Sequence, residues 1–283
     1  MERNTWLHLL TLVILLLLTK GEVKGQELNI KLGDRHTIRS VVLNEDREIL
    51  VHVPENYGES DKTYPVLYRL DGNVYQLLET VSIVNRLTYV DEIAPELIIV
   101  SIVNIDRNRN MWPVNTKYYP EPEIPGAKSF LSFIGDELIP YVNNNFRTKN
   151  DRIICGQSLS SVFILYTLLE KPEIFDSYIA CSAAFPDCED YFNRLADSSF
   201  KELESFKGKR VFITNGLKDP LDPNGEMHKQ MLDFSGKLLG ILDNRISLQY
   251  MVYENEGHVP FHSLYDGLKF ISRPDQNKSV TSN

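Results

Sequence analysis

The sequence is poor in the residues that most often announce a chemistry. Three cysteines, Cys155, Cys181 and Cys188, are all it holds in 283 residues. An odd number cannot pair off within one molecule, and a chain of this length can bury a core without disulfide staples. Cys155, in the apolar run Arg152-Ile153-Ile154-Cys155, reads as a small buried hydrophobe. Cys181 and Cys188 stand close enough in sequence to bridge a loop in an oxidising compartment, or to stay free. No C-x-x-C, H-E-x-x-H or clustered His and Cys spacing occurs, so nothing supports a metal site, and no cofactor is expected. Positive charge is also scarce. Thirty Lys and Arg face 39 Asp and Glu, for a formal charge of −9, which argues against nucleic acid as a partner.

Long apolar runs are missing everywhere except near the start, from Leu7 to Leu18. That block is about a dozen residues, short of the roughly 20 that a membrane span needs. With Arg3 before it and Gly21 to Gly25 after it, it has the layout of a signal peptide over residues 1–25, and an uncleaved anchor is the alternative. No Cys follows the block directly, which speaks against a lipid anchor. The remainder is expected to be secreted or periplasmic, with no stable membrane insertion after cleavage. Its length suits one large domain, 26–272, followed by a polar tail, 273–283, expected to be disordered.

What is present alternates between two periods. Thr37 to Leu43 and Glu48 to Val53 are β-rich runs around the polar turn 44–47. Tyr64 to Leu70 is a strand that stops at Asp71-Gly72-Asn73, and Leu97 to Val103 has the unbroken branched composition of a strand buried on both faces. Further strands are predicted at 152–155, 178–182, 210–214 and 246–253. Apolar spacings of three and four predict helices over 74–87, 127–146, 159–170, 191–206, 225–242 and 263–271, with Pro140 kinking or ending the second. Asn104 to Pro125 is a long polar loop without periodicity, and loops of that length are usually functional. The pattern implies an α/β fold with a mostly parallel central sheet, helices on both faces and antiparallel strands at the N-terminus.

Between the strand ending at Cys155 and the apolar helix from Leu159 stands Gly156-Gln157-Ser158-Leu159-Ser160. This is a G-x-S-x-S variant of the nucleophile elbow G-x-S-x-G. The turn must be tight enough to hold the Ser in a strained conformation, so small residues flank it. Its hydroxyl then projects above the sheet at the positive end of a helix, with the Leu159 N–H placed for an oxyanion. A plain helix N-cap is the bland reading of Ser158. An acid and then a base should follow the nucleophile in the chain. His258, on the loop after the last strong strand, is the candidate base, with His262 as fallback; His36 and His52 precede Ser158. Asp219, at the turn after Val211 to Gly216, is the first choice of acid, with Asp222 and Glu226 as alternatives.

Together these residues resemble the putative-esterase family of α/β-hydrolases, which includes feruloyl esterases, siderophore esterases, S-formylglutathione hydrolases and mycolyltransferases. Tyr64 to Gly72 resembles the family's strand and Asp-Gly turn, which implies a second oxyanion N–H at Gly72 or Asn73. Asn104 to Pro113 is similar to the Arg-x-Arg-Asp loop of the siderophore-esterase-like branch, with Asn110 where Asp is usual. Gly156 to Ser161 resembles a Gly-His-Ser-Leu-Gly-Gly elbow in which Gln157 replaces His and Ser160-Ser161 replaces Gly-Gly. Glu256-Gly257-His258 and Tyr265 to Leu268 are similar to the branch's base loop and closing helix. The resemblance implies a serine esterase of the α/β-hydrolase fold acting on a small-molecule ester through Ser158, His258 and Asp219. Arg107, Arg109 and Trp112 are expected to bind substrate, the arginines favouring an anionic ester and the aromatics a ring. The alternative is a secreted binding protein that keeps the fold without the chemistry.

Overall fold

The computed structural model describes residues 27, 30–59, 61–273 and 279–282. Met1–Lys31 is set off as a unit from Leu32–Asn283. The predicted signal peptide, 1–25, lies outside the described residues, and so do 274–278 and 283 of the predicted tail. No helix among the described residues is long and apolar enough to cross a membrane.

The second unit is built on one sheet. Strands β1 (Asp34–Ser40) and β2 (Glu45–His52) form an antiparallel hairpin, and β2 lies antiparallel to β4 (Ile98–Ile102). From there the sheet is parallel through β3 (Tyr64–Arg69), β5 (Thr148–Gln157), β6 (Ser177–Cys181), β7 (Lys209–Gly216), β8 (Ile246–Tyr253) and β9 (Ser279–Ser282). The order across the described residues is β1-β2-β4-β3-β5-β6-β7-β8-β9. Every residue of β3, β4 and β6 is buried, as expected of parallel strands covered on both faces. One face packs under α1 (Val74–Asn85) and the last long helix (Ser263–Ser272), around Leu77, Ile99, Ile179 and Leu268. The other carries the larger core around Tyr68, Phe163, Phe185 and Leu238. After β3 the chain first adds β4 on one side and then returns to add β5 on the other. Their carboxyl ends therefore flank a topological switch point, where open α/β sheets bind ligands.

Local chemistry explains where the sequence expectations shift. The hairpin turn falls at 41–44 rather than 44–47. Glu137 reaches across to accept from the Val41 and Val42 N–H groups at 2.8 and 3.0 Å, and Asn44 takes a left-handed φ of 52°. Two β-branched valines are thus drawn out of the ladder into the turn. The helix predicted over 127–146 is helical from Ala127 to Asn145 but contains a wide turn at Phe133–Leu138 before Ile139–Asn145, and Phe146 is extended. A proline ring clashes with the carbonyl four residues back, and a π-turn opens that spacing ahead of Pro140. The polar loop 104–125 contains one short helix, α2 (Arg107–Met111). At the C-terminus, Ser279–Ser282 pairs with Gln249–Val252 as an edge strand, where disorder was expected.

Candidate active site

The turn from β5 into the buried helix α3 (Leu159–Glu170) holds Ser158 at φ 56°, ψ −125°. A non-glycine residue there carries strain of about 1–3 kcal/mol, tolerated where surrounding structure over-determines it. The Ser158 N–H is anchored to the Cys181 carbonyl at 2.9 Å. A Cβ on Gly156 would come within 2.7 Å of Ser160 Cβ, so only glycine lets the helix start this close to the strand. The side chain of Ser158 makes no capping bond, which removes the N-cap reading. Its Oγ instead lies 2.9 Å from His258 Nε2, and His258 Nδ1 lies 2.6 Å from Asp219 Oδ2. A carboxylate can only accept, so Nδ1 carries the proton and Nε2 is left to accept from the Ser158 hydroxyl.

Asp219 is buried, and its second oxygen accepts the Leu221 N–H at 2.8 Å. The base loop is pinned by Ser182 Oγ, which donates to the His258 carbonyl at 3.1 Å; nothing in the sequence signalled that contact. The alternatives are occupied elsewhere. Asp222 accepts the Met227 and His228 N–H groups at the start of the helix Glu226–Leu242. His36 and His52 bond to the Tyr141 hydroxyl and the Leu32 carbonyl, and His262 packs edge-on against Phe261.

Of the oxyanion candidates, the Leu159 N–H opens α3, where no intrahelical acceptor exists. The two residues of the Asp71-Gly72-Asn73 turn separate. Gly72 donates to the Ile102 carbonyl at 2.8 Å, and a Cβ there would stand 2.5 Å from the Ile102 nitrogen. Its N–H is therefore spent, a correction to Gly72 as donor. The Asn73 carbonyl and Oδ1 cap α1, while its N–H is given no acceptor among the described residues.

A cavity of about 250 Å³ opens beside Ser158 and His258, walled by Trp112, Tyr118, Val162, Ala184, Leu221 and Met227, with Asn108 contributing an amide. Arg107 and Arg109 are absent from its lining, which corrects their assignment to substrate. Arg107 forks onto Asp71, Nε to Oδ1 at 2.6 Å and Nη2 to Oδ2 at 3.0 Å. Arg109 Nη2 binds both oxygens of Glu45 at 2.8 and 2.9 Å. Tyr119 is buried and serves the core. The replacements at 160 and 161 find partners too: Ser160 Oγ donates to Asp71 Oδ2, and Ser161 Oγ donates to the Cys181 carbonyl at 2.6 Å. All three thiols are free and buried, so Cys181 and Cys188 form no bridge. Burial pushes them up, Cys155 to about 11 and the other two to about 12. Among the described residues, no group of three or more His, Cys, Asp and Glu side chains is arranged to hold a metal ion.

Comparison with known proteins agrees with this architecture. The Esterase family, described as "Putative esterase", matches residues 40–234. Ferri-bacillibactin esterase BesA of Bacillus subtilis is 32% identical over 242 residues, spanning 75% of this chain and 80% of that protein. An IroE-like serine hydrolase from Shewanella oneidensis superposes with a TM-score of 0.74 at 25% identity, over 84% of this chain and 79% of that one. Siderophore hydrolase EstA from Aspergillus nidulans shares the fold, with a TM-score of 0.74 at 19% identity over 89% of this chain and 99% of that one. The chain belongs to the Putative esterase family and is a carboxylic ester hydrolase of the α/β-hydrolase fold.

Proposed function

We propose that this protein is an exported serine esterase that works through Ser158, His258 and Asp219 and an acyl-enzyme intermediate. The observation that carries the reading is the continuous relay from Ser158 Oγ through His258 to a buried Asp219, with contacts of 2.9 and 2.6 Å. His258 Nε2 takes the hydroxyl proton as Ser158 Oγ attacks the ester carbonyl, and Asp219 stabilises the imidazolium that results. The oxyanion of the tetrahedral intermediate is received by the N–H groups of Leu159 and Asn73. Collapse expels the alcohol, which leaves with the proton from His258. Water then enters, gives its proton to His258, and releases the acid by the same steps in reverse.

The apolar cavity beside Ser158 favours an aromatic or similarly flat apolar group on the ester. Siderophore esters that carry aryl groups fit that description, and the names of BesA, a ferri-bacillibactin esterase, and EstA, a siderophore hydrolase, favour a siderophore ester as the substrate class. With Arg107 and Arg109 both committed to carboxylates, recognition rests on shape and ring contact rather than on substrate charge. Export rests on the N-terminal apolar block, and N-terminal sequencing of the mature protein tests it. The catalytic reading is tested by a fluorophosphonate probe with peptide mapping. Modification at Ser158, abolished in Ser158→Ala, is expected; a folded wild-type protein that resists the probe between mild acid and mild base is a binding protein instead.

A further inference from the structure

The Asp71 carboxylate is the most heavily bonded acid near the elbow. It takes no part in the proton relay, yet it accepts from three side chains on two separate segments, the loop 104–125 and the start of α3. Asn104 Nδ2 donates to Oδ1 at 2.7 Å, Arg107 donates to both oxygens, and Ser160 Oγ donates to Oδ2 at 2.5 Å. Arg107 Nη2 also reaches the Gln157 carbonyl at 3.1 Å. Asp71 itself is held at φ 56°, immediately before the Gly72 that lies against the end of β4 and the Asn73 whose N–H is offered to the oxyanion. One carboxylate thus joins the turn after β3 to both sides of the nucleophile, directly through Ser160 and by way of Arg107 to Gln157.

We propose that Asp71 is a positioning residue, which, paired with Arg107 and Ser160, fixes the Asn73 N–H relative to the Leu159 N–H so that the two converge on one oxyanion. The idea rests on the serine-esterase reading above. The two donors belong to different strand-to-helix turns, and no covalent geometry sets the gap between them. A hydrogen-bond pair aimed at a developing charge loses effect steeply when one member drifts. Ser160 is informative here, because a glycine at that position could form neither the direct tie nor its 3.0 Å contact with Met111 Sδ.

The experiment compares wild type, Asp71→Asn and Ser160→Ala for hydrolysis of a short p-nitrophenyl ester and for inhibition by phenylboronic acid, which forms a tetrahedral adduct on a nucleophilic serine. Misplacing one donor should lower kcat about 10²-fold in Asp71→Asn and about 10-fold in Ser160→Ala, with KM little changed. Boronate binding should weaken in proportion to kcat, a coupling that a loss of general stability would not produce. If Asp71→Asn fails to fold, Ser160→Ala decides, since it keeps the Arg107 pair. Unchanged kcat and boronate affinity in the folded variants, or a loss confined to KM, overturns the positioning role. A wild-type protein that neither turns over esters nor takes a fluorophosphonate refutes the esterase reading itself, and the positioning role falls with it.

Discussion

Arg107, the residue that the sequence offers as a substrate-binding arginine, forms a two-pronged ion pair with Asp71, Nε to Oδ1 at 2.6 Å and Nη2 to Oδ2 at 3.0 Å. The planar guanidinium matches a carboxylate in two bonds at once. Having done so with Asp71, and with the Gln157 carbonyl as well, it keeps only its two Nη1 hydrogens for another partner. Arg109 is in the same position with Glu45.

The consequence for substrate choice is testable. Arg107→Ala and Arg109→Ala should alter hydrolysis of an anionic and a neutral ester of equal size by the same factor, leaving their kcat/KM ratio where it is in the wild type. Arg107→Ala should also cost about 1–3 kcal/mol of stability, because a partly buried carboxylate loses its strongest donor. A selective rise in KM for the anionic ester would return the arginines to the binding site.

The acid of the relay can be separated from its neighbour by two amide substitutions. Asp219→Asn should lower kcat by roughly 10² to 10⁴, since the orienting carboxylate sets the imidazole tautomer. Asp222→Asn should leave catalysis intact and cost little stability, because an asparagine oxygen accepts N–H groups at a helix start about as well as a carboxylate does. Steady-state kinetics and urea unfolding of both variants distinguish the two roles; a large kinetic loss in Asp222→Asn alone would move the acid.

How much of this was readable beforehand depends on the range of the interaction. The elbow at Gly156 to Ser160 and the apolar strand Leu97 to Val103 are local patterns, and their elements fall where periodicity puts them. Ser158, His258 and Asp219 come from distant positions; chain order in this fold puts them forward together, and their side chains lie within hydrogen-bond distance. The partners of Arg107 and Arg109 were invisible, because Asp71 and Glu45 lie 36 and 64 residues away and no spacing rule links them. The choice between the Gly72 and Asn73 N–H groups was open for a similar reason, since the acceptor that occupies Gly72, Ile102, belongs to another strand. One signal went unused: hydroxyls at both 160 and 161, where the resembling family has glycines, require buried acceptors, and Asp71 and Cys181 supply them.

Acid titration should report Asp71 directly. Burial alone would raise its carboxyl, but the bonds from Arg107, Ser160 and Asn104 outweigh it and hold the group below the usual carboxylate range. A folded value depressed below the unfolded one, which is about 3.9 for Asp, contributes stability that is present above that pH and lost as pH falls through the folded value. Asp71→Asn should therefore be less stable than wild type at neutral pH, with the gap narrowing below about pH 4. Urea unfolding at neutral pH and near pH 3 measures both; a gap that stays constant would mean that the ionised form contributes nothing.

The cavity makes a last, size-based prediction. Ala184, on the loop after β6, is buried and faces the space beside Ser158 together with Val162 from α3 and Trp112 from the loop after α2. With only about 250 Å³ available, the three added carbons of leucine at 184 should intrude on a ring while leaving room for an acetyl group. A hydrophobic pocket discriminates by about 1–3 kcal/mol per methylene-sized change. Ala184→Leu is therefore expected to lower kcat/KM for a benzoyl ester by at least about 10-fold relative to an acetyl ester of the same alcohol. Because Ser158, His258 and Asp219 are untouched, acetyl turnover and fluorophosphonate labelling should persist, so a selective loss reports the pocket rather than the chemistry. Equal effects on both esters would mean that the acyl group is accommodated elsewhere, with Tyr118 and Leu221, which also line the cavity, as the next residues to vary.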